Sequence, residues 1–286
     1  MSAIADSTAK AVAAAAPVAD DVLARAGQLE VRLARGDGEL RESQRLRYQI
    51  FYREMAAKPT PEMAAEGRDF DRYDRICDCL LVIDNARPPG SRVVGTYRLL
   101  RQQVAEANWG FYSADEYDLA PLLSHLDERC RGLELGRSCV DARYRSNATI
   151  GLLWRGIAGY LARHRIGFMF GCASLPGTDP AALAAALSYL HYFHRAPPEL
   201  RVTALASRYE EMARLPADTI SPRRVLAALP PLVKGYLRLG AYIGDGAVVD
   251  HQFGTTDVFI ILPVERISGR YFSHFDREGA IERPRA

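Results

Sequence analysis

Three charged constellations in the chain have spacings that could organise a polar reaction. Arg47 and Phe51 lie four residues apart in "RLRYQIF", so on a helix they share a face. Asp71 and Asp74 frame "DRYD", a loop pair that suits a cation such as a substrate ammonium, or simple solvation. The third group is Arg98 in "GTYRLL" with Glu134 and Arg137 in "ELGR". Strand residues three apart face opposite sides unless a bulge intervenes, and Gly136 is where a bulge is expected. Glu134 stands between Leu133 and Leu135, so burial in a strand raises its pKa and makes it a better base near neutrality. The same burial suits a scaffold carboxylate neutralised by Arg98 or Arg137.

The stretch "LELGRSCVDARYRSNATIGLLWRGIAGYL" carries a strand into a helix through a basic turn. A helix N-terminus binds anions with its free N–H groups, and Arg143 and Arg145 add charge there beside Ser146 and Asn147, so a phosphorylated ligand fits. His191 and His194 sit three apart on a helix without carboxylate or cysteine neighbours in the motif, which reads as packing, and no metal site is expected. The five cysteines lack zinc-ribbon spacing and are expected to be reduced thiols in a cytosolic protein.

These groups need elements to position them. "LEVRLA" alternates as a strand, and "ELRESQRLRYQIFYREM" follows as a helix with Leu46, Ile50, Phe51 and Met55 toward one face, ended by Pro59 and Pro61. "CLLVID" and "RVVGTYRLL" form a hairpin through "NARPPGS". Ser113 and Glu116 have capping-box spacing before a short helix. "GLELGRSCV" is a strand, and "TIGLLWRGIAGYLARHR" a helix burying Ile150, Leu153, Trp154, Ile157, Ala158 and Leu161. "GFMFGCASL" is a buried strand, and Asp179 with Pro180 opens another helix. Short helices at "SPRR" and "PPLVKGYLRLG" and a strand "DVFIILPVE" complete the chain. The order predicts an α/β fold, one mixed and mostly antiparallel sheet layered by helices. A single domain over 29–286 is expected, with residues 1–28 a disordered tail and a helical C-terminal extension from about residue 196.

At 286 residues and 48% hydrophobic content the chain can bury a sizeable core. A net charge of +2 excludes the basic stripe of a dedicated nucleic-acid binder. The alanine-rich start is too weakly apolar for a signal peptide, and no run approaches a membrane span.

On these residues the chain resembles the Gcn5-related N-acyltransferase superfamily. It is more closely similar to bacterial L-ornithine N-alpha-acyltransferases and to their relatives the acyl-homoserine-lactone synthases, over roughly residues 30 to 275. The synthases' Arg-x-x-x-Phe helix, Asp-x-x-Asp loop, Gly-x-x-Arg-Leu-Leu strand and Glu-x-x-Arg strand match Arg47 and Phe51, Asp71 and Asp74, Gly95 with Arg98, and Glu134 with Arg137. Two departures stand out. Ala148 and Ile150 replace the glycines that cradle the pyrophosphate of coenzyme A, and Ala57 stands where the synthases carry tryptophan. The carboxyl half, "PPLVKGYLRLGAYIGDG" and "FGTTDVFIILPVERI", resembles the ornithine enzymes.

The resemblance implies transfer of a 3-hydroxyacyl group from the 4'-phosphopantetheine thioester of acyl carrier protein to the α-amine of ornithine, with no bound cofactor. Glu134 and Arg137 would be catalytic, and Arg47, Phe51, Asp71, Asp74 and Arg98 would shape the substrate site. The N–H groups of Cys139 and Val140 would meet the oxyanion. Arg143, Arg145, Ser146, Asn147 and Arg155, with Arg163 and Arg165, would hold the carrier and its arm. Cytoplasmic location with peripheral contact at the inner membrane would suit a lipid product. The alternatives are an autoinducer synthase using S-adenosylmethionine, and a non-enzymatic carrier-binding or membrane-acting protein.

Overall fold

Apolar side chains on alternate residues of most strands leave two faces to cover, and the fold covers both. The computed structural model describes residues 22–267. Its strands are β1 (Val22–Ala26), β2 (Leu29–Leu33), β3 (Asp78–Asp84), β4 (Val93–Arg101), β5 (Tyr117–Asp118), β6 (Arg131–Val140), β7 (Ile166–Pro176), β8 (Thr203–Ala204), β9 (Tyr242–Asp250) and β10 (Thr255–Pro263). Their spatial order is β1-β2-β3-β4-β6-β7-β10-β9-β8-β5. Pairing is antiparallel except β6 with β7 and β8 with β9. The helices are α1 (Gly36–Tyr48), α2 (Pro61–Glu66), α3 (Gln102–Glu106), α4 (Ala120–Leu123), α5 (Asn147–His164), α6 (Ala184–His194), α7 (Pro222–Ala228) and α8 (Pro231–Arg238). The mixed, mostly antiparallel sheet expected from the sequence is therefore present.

One face of the sheet carries Val31, Leu80, Tyr97, Leu99, Leu133 and Leu135, and α5, α6 and α8 close over it with Leu153, Ile157, Leu187 and Val233. The helix α5 approaches β2 so closely that a Cβ on Gly156 would stand 2.3 Å from a Val31 methyl. The opposite face is more polar. There α1 turns Glu42, Ser43, Gln44 and Arg47 inward. Beyond them, Phe111, Tyr117, Phe170 and Phe259 form an aromatic cluster.

The sheet parts in the middle. β6 pairs with β7 only from Arg131 to Glu134, opposite Ile166 to Phe170. Further along, β6 stays on β4 up to Val140, while Gly171 to Pro176 of β7 pair with β10. Gly171 marks the fork: its φ is 151°, and a Cβ there would meet the Leu135 carbonyl oxygen at 2.4 Å. Since α5 is the crossover from β6 to β7, its N-terminus opens at the same end of the sheet as the gap.

Several expectations change. Residues 22–28, expected in the tail, form β1 and its turn, because Val22 to Ala26 pair with β2 and cover the edge; residues 1–21 lie outside the described residues. The first helix continues into a π-helical turn over Gln49–Glu54 and stops at Ala56, with φ 60°, before either proline; Met55 is exposed. Ser113 caps no helix, since a 3-10 turn occupies Tyr112–Asp115. The helix after Asp179 begins four residues late, at Ala184, with a turn ahead of it in which the Asp179 side chain accepts from the Ala181 N–H. Ile150 is 41% exposed, and the buried face of α5 is rotated to Thr149, Leu152 and Gly156 as well as Leu153 and Ile157. The C-terminal half is not a helical appendage alone, for it supplies β8, β9 and β10, the last paired along its length with β7.

Candidate active site

On the polar face of the gap, three arginines interleave with three aspartates. Arg47, wholly buried on α1, donates from both terminal nitrogens to Asp74 at 2.8 Å and to the Asp69 carbonyl at 2.6 Å. Its Nε lies 2.7 Å from Asp69 Oδ2, without the alignment of a hydrogen bond. Arg98 reaches Asp71 at 2.7 Å and Asp74 at 3.8 Å, and Arg137 reaches both Asp69 and Asp71 at 3.3 Å. Burial is the largest influence on Asp74 and would raise its pKa, but the Arg47 hydrogen bonds, the charges of Arg47 and Arg98 and the Asp71 N–H together hold the carboxyl below its usual range. Asp71 and Asp74 also form a reciprocal cap, each side chain accepting from backbone of the 71–74 turn. The loop pair is thus neutralised from within rather than left open to a cation, and only Asp71 keeps appreciable exposure, at 21% of its side chain.

The bulge expected at Gly136 lies one residue on. Thr96 pairs with Cys139 and Arg98 with Gly136, so β6 holds an extra residue there, and Arg137 itself takes φ 51°. That turn brings Arg137 to the same face as Glu134 and Arg98. Its guanidinium lies between the rings of Tyr112, at 5.1 Å, and Phe253, at 4.8 Å. Phe253, in the β9–β10 turn, meets Phe51 edge-on at 5.7 Å, so Phe51 forms a wall that bounds the site.

Glu134 is buried on this face, and both its oxygens are engaged: the Tyr112 N–H donates to one at 2.7 Å and the Ser113 N–H to the other at 2.8 Å. Burial pushes its pKa up while these donors pull it back. Glu134 thereby fixes the loop that carries Tyr112 over Arg98 and Arg137. This is the scaffold disposition; taking up a proton would compete with those two bonds.

A second carboxylate cluster escaped the sequence reading. Around Cys172 of β7 stand Glu116, 3.5 Å from its sulfur, Asp257 and Glu134, all felt electrostatically by the thiol. Burial lifts Glu116 above the usual carboxylate range, opposed by Arg208 at 3.2 Å, and lifts Asp257 to about 6. The only signal available was the "SADE" motif, and it read as a helix cap.

Cys139 packs among Tyr48, Phe51, Tyr52 and Met63, and burial raises its pKa, so it is a neutral thiol. Its N–H points toward β4: Cys139 pairs with Thr96 and the Asp141 N–H, two residues on, donates to Val94. Alternation along the strand turns the Val140 N–H the other way, toward the gap. At the α5 N-terminus, Ser146 accepts from the Thr149 N–H, with Asn147 next and exposed. Arg143 pairs with Asp141, Arg145 with Glu54, and Arg155 donates to the Arg25 carbonyl. Arg163 and Arg165 stand at the other end of this 18-residue helix, about 27 Å away, so they do not extend the same patch.

The sequence profile of the Acetyltransferase (GNAT) domain matches residues 46–155, from the end of α1 with Arg47 to the first half of α5. The chain is 53% identical over 260 residues to the L-ornithine N(alpha)-acyltransferase of Brucella abortus, covering 90% of this chain and 92% of that protein. The chain belongs to the L-ornithine N(alpha)-acyltransferase family. The enzyme of that name from Rhizobium meliloti is 50% identical, with 92% of this chain and 89% of the relative covered. A solved structure, the acyl-homoserine-lactone synthase LasI, aligns over 90% of this chain and 98% of its own at 12% identity, with a TM-score of 0.46. As a member of this family the protein is an acyltransferase, which removes the non-enzymatic alternative. Among the described residues no helix is long and apolar enough to cross a membrane.

Proposed function

We propose that this ornithine-acyltransferase family member transfers a 3-hydroxyacyl group from acyl carrier protein to the α-amine of L-ornithine, giving lyso-ornithine lipid. The observation that carries the reading is the charge layout of the polar face. One partly exposed cation, Arg137, and a carboxylate cluster around Cys172 suit a substrate with an anionic end and two amines. Arg137 takes the α-carboxylate, with Asp71 and Arg98 holding it in register. The carboxylates Glu116 and Asp257, raised by burial, gain from a cation in their midst.

The donor's pantetheine arm lies along the unpaired edge of β6, and its phosphate meets the α5 N-terminus at Asn147 with Arg143 and Arg145. One phosphate needs no glycine cradle. The ammonium of ornithine must lose a proton before it attacks; Glu116 accepts it, and Glu134 positions the loop. The nitrogen lone pair then adds to the thioester carbonyl, whose oxyanion is met by the Val140 N–H, and collapse breaks the carbon–sulfur bond, the departing pantetheine thiolate taking the second nitrogen proton to leave as the thiol. No acyl-enzyme is required, because the thioester is already activated and binding supplies orientation.

The carrier donor is cytoplasmic, and contact with the inner membrane is peripheral. The segment from residue 219 to 244 carries Arg223, Arg224, Lys234 and Arg238 with no acidic residue, beside exposed Phe193 and Leu232. The test is incubation of purified enzyme with 3-hydroxyacyl carrier protein and amino acids, read by product mass. Acylornithine is expected; acylation of S-adenosylmethionine instead, or equal use of amino acids lacking the second amine, overturns the assignment.

A further inference from the structure

On the apolar side of the gap, two buried hydroxyls meet. Tyr97 of β4 and Tyr236 of α8, both 5% exposed, share a 2.7 Å hydrogen bond between their hydroxyls. Both belong to the apolar cluster that includes Leu99, Leu135, Leu153, Ala173 and Leu175, and Trp154 of α5 meets Tyr236 edge-on at 5.5 Å. Desolvation keeps both phenols neutral and raises the Tyr97 pKa first of all, offset by its bonds to Tyr236 and Ser138.

The pair is positioned by the bulge. Thr96 pairs with Cys139 and Arg98 with Gly136, so Tyr97 lies across from Arg137 and Ser138, where β6 has already left β7. Ser138 is only half-buried, so it links the pair to the open part of the gap. Tyr97, Tyr236 and Ser138 bring three hydroxyl protons to two hydrogen bonds, so one donor is left over. In an apolar surrounding that spare donor is unfavourable until an acceptor from outside the three completes it.

We infer that Tyr97, Tyr236 and Ser138 read the 3-hydroxyl of the acyl chain, making them specificity-determining residues for the donor. The inference rests on the acyl transfer proposed above: with the amino acid on the charged face, the apolar face receives the chain. A hydroxyl two carbons beyond the thioester carbonyl enters this face close to the bulge. There it meets the only tyrosine hydroxyl pair bonded to each other among the described residues.

The competing role for the pair is to pin α8 to β4. Competition between 3-hydroxyacyl and unsubstituted acyl carrier protein of equal chain length, read as the mass ratio of acylornithines, separates the two. The wild type is expected to favour the hydroxylated donor at least about tenfold, and Tyr97→Phe and Tyr236→Phe each to lower that ratio by about tenfold or more. Ser138→Ala, which is least able to disturb the core, is expected to lower it less. An unchanged ratio in both phenylalanine variants, even with both donors slowed, overturns the inference, as does a wild type without preference. A wild type that acylates ornithine with neither donor overturns the proposed reaction instead.

Discussion

The two faces of the parted sheet solve opposite problems with the same backbone. On the α1 face, charge is concentrated and almost fully paired: Arg47, Arg98 and Arg137 against Asp69, Asp71 and Asp74. On the α5 and α8 face, packing is mostly aliphatic and includes the bonded hydroxyls of Tyr97 and Tyr236. An acyltransfer to an amino acid needs both, since one reactant is ionic and the other mostly hydrocarbon. The gap between β6 and β7 is where they can meet. The difference teaches that substitutions should separate by face, the charged side failing through uncompensated charge and the apolar side through donor choice.

The sharpest way to break the comparison is Arg47→Met. It leaves Asp69 and Asp74 buried with only the more distant Arg137 and Arg98 as counter-charges, and a loss of about 3–5 kcal/mol in urea-unfolding free energy is expected. Retained stability would mean that the charged face is held by something other than its ion pairs.

Glu116 and Glu134 offer a contrast within one face. Glu116→Gln is expected to reduce kcat/KM about a hundredfold and remove the lower-pH limb of the rate profile, with little change in stability. Glu134→Gln sets an amide NH2 against a backbone N–H, so about 1–3 kcal/mol of stability should go first, with activity following the displaced Tyr112. If the pH limb disappears only in the Glu134 variant, the roles are reversed.

Asp257 tests whether the carboxylate cluster is strained in the absence of substrate. Its pKa in the fold, about 6, lies above the ordinary value of 3.8. The folded state therefore binds more protons between about pH 4 and 6, and stability falls as pH rises through that window. Asp257→Asn should gain up to about 2–3 kcal/mol above pH 6 and nothing below pH 4. Thermal melts across that range decide it. The smallest effect is expected on the outer side of α5, where Ile150→Ser should change stability by less than about 0.5 kcal/mol.

The elements were largely legible in the amino-acid pattern. The β3–β4 hairpin, β6, α5 and β7 are local features, written in strand alternation, helical periodicity and turn residues. β9 was not legible, since "AYIGDGAVVD" has glycines that weaken the pattern, and pairing with β10 provides its order. Of the site, Arg47, Asp71, Asp74, Arg98, Glu134 and Arg137 could be named from spacing, and the fold gathers them on one face.

What the sequence determined by itself is the set of charged and apolar residues and the elements that carry them, because helix and strand periods depend on near neighbours. The tertiary structure alone decided the rest. It placed the bulge at Arg137, closed the two oxygens of Glu134 with the 112–113 backbone, and drew Asp69, Glu116, Phe253 and the Tyr97–Tyr236 pair to the gap. Those partners lie 21 to 139 residues apart in the chain, as with Ser113 and Glu134 or Tyr97 and Tyr236. No local propensity encodes such meetings; they follow from the register of β4 on β6 and from the point at which β6 leaves β7.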